Sequence, residues 1–160
     1  MKRSLVLLVL LSATIAVFGL SIGVLAGKEM GGLNRYYVGA SLNTGGLIGL
    51  GLDAYYVVSS FENAGEELQN ASVFELDPLL LLNLELGVVE LYAGAGPMVI
   101  FNVETMNFEL YSTALLRFKV GAGINIGIIR IFLDGLTSFS YSPFATTGIY
   151  SVQLGVGLSL

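Results

Sequence analysis

Residues 115–136, LLRFKVGAGINIGIIRIFLDGL, are strongly apolar and yet carry four charged side chains. These are Arg117, Lys119, Arg130 and Asp134. A membrane-spanning helix avoids such charges, because lipid offers an ion no partner. Glycines and apolar residues alternate along the stretch, and alternation at every second position is typical of a β-strand with two different faces. The segment therefore predicts two strands, at 110–126 and 128–140, joined by a tight turn at Ile126-Gly127.

The composition favours a membrane protein of one domain and excludes several kinds of functional site. Of the 160 residues, 54% are hydrophobic and 12% are charged, against about 25% charged in soluble domains. The formal net charge of -5 argues against a nucleic-acid partner. Cysteine and histidine are absent, which removes disulfides, thiolate metal sites and the commonest general base. We therefore expect no metal, no cofactor and no enzymatic activity.

The beginning of the chain has the features of an export signal. Lys2-Arg3 supplies positive charge, an apolar run follows at 5–11, and small residues come next. Cleavage after Ala16 and cleavage after Ala26 both fit this pattern. An uncleaved helical anchor over 4–26 is the alternative, because that length can span a bilayer.

Further segments alternate in the same way and bring the number of predicted strands to eight. In chain order the other strands are 17–27, 36–43, 47–58, 72–86, 89–103 and 147–160. Bacterial single-chain barrels close with an even number of strands. The first strand survives only if cleavage follows Ala16, so we predict a signal peptide over 1–16 and a barrel over 17–160. A helix-packing role for Gly19 and Gly23 is the alternative for that segment.

The connections between the predicted strands alternate between short and long. The short ones are Thr44-Gly45-Gly46, the stretch around Gly87, and Ile126-Gly127. The long ones are 27–34, 59–71, 104–109 and 141–146. Short turns at one end and longer loops at the other are typical of outer-membrane barrels. Most Phe and Tyr residues fall near the long-loop end, as in an aromatic girdle at a membrane interface.

The charged residues of the strands fall on the face opposite to the apolar side chains. They are Arg35, Asp53, Glu85, Glu90, Arg117, Lys119, Arg130 and Asp134. Since lipid cannot accommodate ions, this face should line the barrel interior, where the charges must be paired. The predicted turns give three sets of neighbours: Lys119 opposite Asp134, Asp53 diagonal to Arg35, and Glu85 facing Glu90 close to Arg130.

Six glycines share this inner face. They are Gly94, Gly96, Gly121, Gly123, Gly155 and Gly157. An eight-stranded barrel is just wide enough for its own side chains, so we interpret these glycines as room for Arg, Lys and Tyr side chains rather than as a ligand cavity. The inner apolar residues are Leu79, Leu81, Met98 and Phe132.

Three glycine-rich or alternating segments carry a family resemblance. YAGAGPMV at 92–99, FKVGAGINI at 118–126 and the strand at 147–160 resemble the small eight-stranded outer-membrane β-barrel proteins of bacteria. The resemblance implies an all-β, antiparallel, up-and-down transmembrane barrel. It also implies that an N-terminal signal peptide, which precedes the barrel, directs the protein to export. It further implies insertion into the outer membrane by the barrel-assembly machinery, with membrane lipid as the surrounding partner.

Several functions fit these features. A lumen filled with paired charges favours a structural or interaction barrel, and a narrow pore for ions or small apolar molecules is the alternative. A small helical inner-membrane protein fits the high hydropathy but not the charges within the segments. Glu85 and Glu90 are the carboxylate pair best suited to acid–base chemistry, and we interpret them as part of the salt-bridge network.

Overall fold

The computed structural model describes residues 19–32, 34–111, 115–141 and 144–160. The predicted signal peptide at 1–16 and the first residues of the predicted first strand lie outside these ranges. Within the described residues, no helix is both long enough and apolar enough to cross a membrane.

The described chain consists almost entirely of strands, with one short helix. The strands are β1 Leu20–Met30, β2 Tyr36–Thr44, β3 Ile48–Val58, β4 Val73–Leu86, β5 Val89–Pro97, β6 Val99–Asn102, β7 Asn107–Leu110, β8 Leu115–Ile126, β9 Ile129–Tyr141 and β10 Phe144–Ser159. The helix, α1, is Ala64–Gln69 in the link between β3 and β4. Within the described residues each predicted strand overlaps an observed one, so the helical alternatives for the chain and for the segment around Gly23 are wrong. The predicted strand 89–103 is divided into β5 and β6, and β7 begins in the link predicted at 104–109.

The strands form a closed antiparallel barrel. The order around the wall is β3, β2, β1, β10, β9, β8, β5 and β4, and pairing of β3 with β4 closes the ring. β5 and β6 pair with β4 in one continuous register, which Met98 interrupts. β6 and β7 form a hairpin beyond this point. Because β6 continues the line of β5 and β7 lies outside the closed ring, the ring has eight strands. The prediction of an eight-stranded antiparallel barrel is confirmed.

Two of the tight turns have glycine as their first residue. Gly87 and Gly127 have φ angles of +70° and +62°, and the flanking pairs are Leu86 with Val89 and Ile126 with Ile129. Glycine at the first central position suits a type II′ hairpin turn. The second of these turns is therefore Gly127-Ile128, and the prediction of Ile126-Gly127 was wrong by one residue.

This shift changes which residues face each other across β8 and β9. Lys119 is opposite Leu136, while Asp134 is opposite Gly121. The predicted direct pairing of Lys119 with Asp134 is therefore wrong, although the two residues remain diagonal neighbours. Diagonal positions on one face are within reach of long side chains.

The connection between β2 and β3 is also different from the prediction. Thr44 still belongs to β2, and its Oγ1 accepts a hydrogen bond from the Leu50 amide at 2.8 Å. Asn83 Nδ2 donates to the carbonyl of Gly46 at 2.8 Å from the neighbouring strand. This longer connection places Asp53 opposite Ser41, so the predicted diagonal contact between Asp53 and Arg35 is wrong.

The two faces of the wall differ in chemistry, as the alternation predicts. Along β9, Leu133 is 54% exposed on the outer surface, while the neighbouring Phe132 and Asp134 are 2% and 1% exposed inside. The outward aliphatic side chains are not covered by other parts of the protein. This is expected if they contact the apolar interior of a membrane. Large exposed apolar residues of this kind occur around the wall, and they include Val24, Leu50, Leu82, Val120, Leu154 and Val156.

Aromatic side chains gather at the end of the barrel that carries the longer connections. Ring pairs with centroids 4.5–5.7 Å apart join Tyr36 with Phe61, Tyr56 with Phe74, Phe101 with Phe108, and Phe118 with Phe139. At the same end, Ser59 donates hydrogen bonds to Glu67 of α1 from its amide, at 2.9 Å, and from its hydroxyl. These hydrogen bonds lower the pKa of the Glu67 carboxyl and fix the helix against the end of β3.

Candidate functional site: the barrel lumen

Lys119 occupies the middle of the lumen between two aspartates. Its Nζ lies 2.6 Å from Asp53 Oδ2 and 3.1 Å from Asp134 Oδ2. The three residues come from β8, β3 and β9, and each is at most 1% exposed. One lysine thus links opposite walls of the barrel, which requires the short reach across an eight-stranded cylinder.

Neutral donors add hydrogen bonds to Asp53 Oδ2 and to both oxygens of Asp134. Tyr55 donates to Asp53 Oδ2 at 2.8 Å, and Gln153 Nε2 donates to Asp134 Oδ2 at 2.7 Å. The Tyr92 hydroxyl donates to Asp134 Oδ1. Buried ions are stable only when such partners replace the water they lose.

Arg117 forms a second buried pair beside Lys119. Its Nε donates to Asp77 Oδ2 at 2.9 Å, and its Nη1 donates to Ser138 Oγ at 3.0 Å. Sequence reasoning missed Asp77, because Pro78 and the run of leucines that follows blur the alternation in β4. The signal was present nonetheless: Asp77 is in phase with the inner residues Leu79 and Leu81.

Arg35 lies at the loop end of the lumen with two glutamates that the sequence analysis did not assign to the network. Arg35 Nη2 is 2.7 Å from Glu29 Oε2, and Arg35 Nη1 is 3.2 Å from Glu75 Oε1. Glu29 was missed because the first strand was predicted to end at residue 27, whereas β1 extends to Met30. Glu75 lies in phase with Asp77 on β4.

Arg130 lies at the turn end with Glu90. Its Nε is 3.0 Å from Glu90 Oε2, and its Nη1 donates to Ser21 Oγ at 3.0 Å. Glu85 is directly opposite Glu90 in the β4–β5 register and is exposed at the barrel end. The structure thus places seven of the eight charges named from the sequence in the ion pairs described above and leaves Glu85 at the mouth.

Two of the inner glycines accommodate bulky side chains from neighbouring strands. A Cβ atom at Gly121 would overlap the Tyr92 ring and the Asp134 carboxylate, and one at Gly155 would overlap the Phe132 ring. These close approaches require glycine at both positions. Large side chains therefore fill the lumen, and glycines on the adjacent strands leave the space that these side chains occupy.

The remaining space lies at the two ends of the lumen. A cavity of about 10 Å³ lies at the loop end. It is lined by Arg35 with Glu29 and Glu75, and by Tyr37, Tyr55 and Arg117. A cavity of about 120 Å³ is lined by Ser21, Asn43, Glu85 and Glu90 at the turn end. The first has room for about one water molecule. Between them lie the buried side chains of the layer around Lys119, which close the passage.

Comparison with known proteins supports the architecture. No protein family and no curated protein matches the sequence. A de novo designed transmembrane β-barrel is 12% identical with a TM-score of 0.59, over 89% of this chain and 95% of the design. The N-terminal β-barrel domain of Pseudomonas aeruginosa OprF is 11% identical with a TM-score of 0.55, over 88% of this chain and 97% of that domain.

A third solved structure agrees with these two. Neisserial surface protein A (NspA) is 9% identical with a TM-score of 0.52, over 89% of this chain and 96% of that protein. The similarity extends along nearly the whole of each barrel, although only 9–12% of the residues are identical. The chain therefore has the fold of the small eight-stranded outer-membrane β-barrels.

Proposed function

We propose that this protein is a structural or interaction barrel of the bacterial outer membrane, without enzymatic activity. The observation that carries the proposal is the closed centre of the lumen, where Lys119, Asp53 and Asp134 join three strands across the interior. Such bonds rigidify the cylinder and fill the space that a pore would need. The apolar outer face suits direct contact with membrane lipid.

Conductance in planar bilayers tests this proposal against the narrow-pore alternative. With the central ion pairs in place, we expect no steady openings at any applied voltage, because ions cannot pass a layer of fully buried side chains. A porin reconstituted in the same bilayers serves as the positive control. Reproducible unit openings from the purified barrel would replace the structural role with that of a conduit.

The loop end offers a surface through which the barrel could interact with other molecules. It carries five acidic residues: Glu62, Glu66, Glu67, Glu104 and Glu109. Glu62 lies in the turn before α1, Glu66 and Glu67 lie in α1, and Glu104 and Glu109 lie in the β6–β7 hairpin. Aromatic ring pairs lie at the same end. An anionic rim with interspersed rings suits a cationic partner, whereas the turn end has only short connections.

We further propose that the mature protein begins after Ala16 and that the barrel-assembly machinery inserts it. β1 runs from Leu20 to Met30 and pairs on both sides, with β2 and β10. Cleavage after Ala26 would remove residues 20–26 and open the ring. We therefore expect the protein isolated from membranes to have the mass of residues 17–160; the mass of 27–160 would contradict this.

A further inference from the structure

The central layer of the lumen has more carboxylates than cations. We define this layer as Asp53, Asp77, Asp134, Arg117 and Lys119, which are linked by the ion pairs of 2.6–3.1 Å. If all five were ionised, the layer would hold three negative and two positive charges. An uncompensated charge in such a water-poor interior is costly.

Two oxygen atoms of this layer also have no hydrogen-bond partner. They are Asp53 Oδ1 and Asp77 Oδ1, and both atoms are fully buried. The other oxygens of the layer are bonded: Asp53 Oδ2 accepts from Lys119 and Tyr55, and Asp77 Oδ2 accepts from Arg117. A buried acceptor without a donor is rare in folded proteins.

The two unpartnered oxygens belong to residues that face each other. Asp53 and Asp77 are directly opposite in the register of β3 and β4, and side chains in that relation have Cβ atoms about 4.5–5.5 Å apart. On the other side of Asp77, the wall continues at Met98, a thioether without a proton to donate. Two ionised carboxylates in this position would repel each other.

The remaining charged and titratable groups around Asp77 do not supply the missing donor. Arg117 from β8 bonds Asp77 through Oδ2, and Glu75 on the same strand is bonded to Arg35. Lys119 is directed to Asp53 and Asp134. Tyr55 from β3 donates to Asp53 Oδ2. None of these groups reaches either Oδ1 atom.

We propose that Asp53 and Asp77 bind one proton between them at neutral pH, as a carboxylic acid hydrogen-bonded to a carboxylate. A single O–H between the two Oδ1 atoms satisfies both unpartnered oxygens and removes the repulsion between the two residues. It also balances the layer, which then holds two negative and two positive charges. A water molecule in the same place could donate to both oxygens but would leave the excess charge.

Asparagine substitutions test this proposal, because asparagine has the shape of a protonated aspartate. In Asp77→Asn, the amide can donate to Asp53 Oδ1 while its carbonyl still accepts from Arg117. We expect the unfolding equilibrium constant at neutral pH to stay within about tenfold of the wild type for Asp77→Asn and for Asp53→Asn. The double variant has lost both carboxylates, which leaves one cation of the layer without a counter-charge. We expect its unfolding equilibrium constant to be about a hundredfold or more above that of the wild type.

Asp134→Asn is the matched control in the same layer. Both Asp134 oxygens already accept hydrogen bonds, so no proton is shared there and the substitution removes a needed charge. We expect it to raise the unfolding constant about a hundredfold or more. Equal damage from Asp77→Asn and Asp134→Asn would show that both aspartates of the pair are ionised, and it would overturn the proposal.

Proton uptake provides a second, independent measurement. Aspartates of the unfolded chain lose their protons near about pH 4, so above that pH the folded barrel holds one proton more than the unfolded chain. The unfolding constant of the wild type, relative to Asp77→Asn, should therefore rise about tenfold per pH unit between about pH 5 and 7. Parallel pH profiles for the two proteins would contradict the shared proton.

Infrared spectroscopy detects the acid directly in the native barrel. Exposed glutamates are ionised at neutral pH, so a carboxylic acid C=O band should be present in the wild type and absent in Asp77→Asn. Its absence in the wild type would also overturn the proposal. The conductance result does not depend on this proton, so the two proposals fail separately.

Discussion

Replacing Lys119 by methionine should destabilise the barrel by about 3–5 kcal/mol, since it leaves two buried carboxylates without their common cation. Lys119 Nζ bonds Asp53 and Asp134 at 2.6 and 3.1 Å. Methionine keeps most of the side-chain volume, so the loss reports the charge more than a cavity. Urea unfolding in lipid vesicles, followed by gel mobility of the folded and unfolded forms, measures the difference.

Lys28→Met is the matched control for this prediction. Lys28 lies on the outer face of β1, and its Nζ is 4.9 Å from the centre of the Tyr36 ring. We expect its replacement to cost less than about 1 kcal/mol. Adding Asp134→Asn to Lys119→Met should recover part of the lost stability, because with one proton shared by Asp53 and Asp77 the layer then holds one negative and one positive charge. If the two lysine variants lost the same stability, the lumen pairs would have no special role.

Replacing Leu133 by arginine should destabilise the membrane-inserted barrel by about 2–4 kcal/mol. Leu133 points outward from the middle of β9 and is 54% exposed. In a bilayer that position faces acyl chains, which cannot solvate a guanidinium group. The measurement is again the free energy of unfolding from lipid vesicles.

Leu86→Arg isolates the effect of depth in the bilayer. Leu86 has the same residue type, the same outward phase and nearly the same exposure, 55%, but it is the last residue of β4 before a tight turn. Near the interface the side chain can extend to water, so we expect a cost of about 0–1 kcal/mol. Equal costs at the two positions would mean that the outer face is not in contact with a lipid interior.

The architecture followed from the sequence because one physical constraint acts on every strand. Each strand must present apolar groups to lipid and charges to the lumen, so its alternation is visible without knowledge of its neighbours. Arg130 beside Ile131 and Lys119 beside Val120 show this directly. The number of strands then followed from the count of alternating segments and from the even number with which bacterial single-chain barrels close.

The pairing within the lumen could not be predicted with the same success, because register depends on the turns. With Gly127 placed second in its turn, Lys119 would lie opposite Asp134; with Gly127 first, as observed, Lys119 lies opposite Leu136. The wider connection after Thr44 likewise places Asp53 opposite Ser41. Long side chains partly compensate, since Lys119 still reaches Asp134 diagonally. Asp77 was missed for a different reason: leucines on both faces of β4 conceal its phase.

The pairing of β1 with β10 has a consequence for how the protein folds. Ten residue pairs, from Ser21 with Ser159 to Met30 with Tyr150, join strands from opposite ends of the described chain. This seam has the largest sequence separation in the wall, and contacts of that kind are slow to form. Until β10 pairs with β1, the sheet keeps two open edges whose backbone groups are unpaired. If the barrel-assembly machinery inserts the protein, as proposed above, it would have to shield these two edges until they meet.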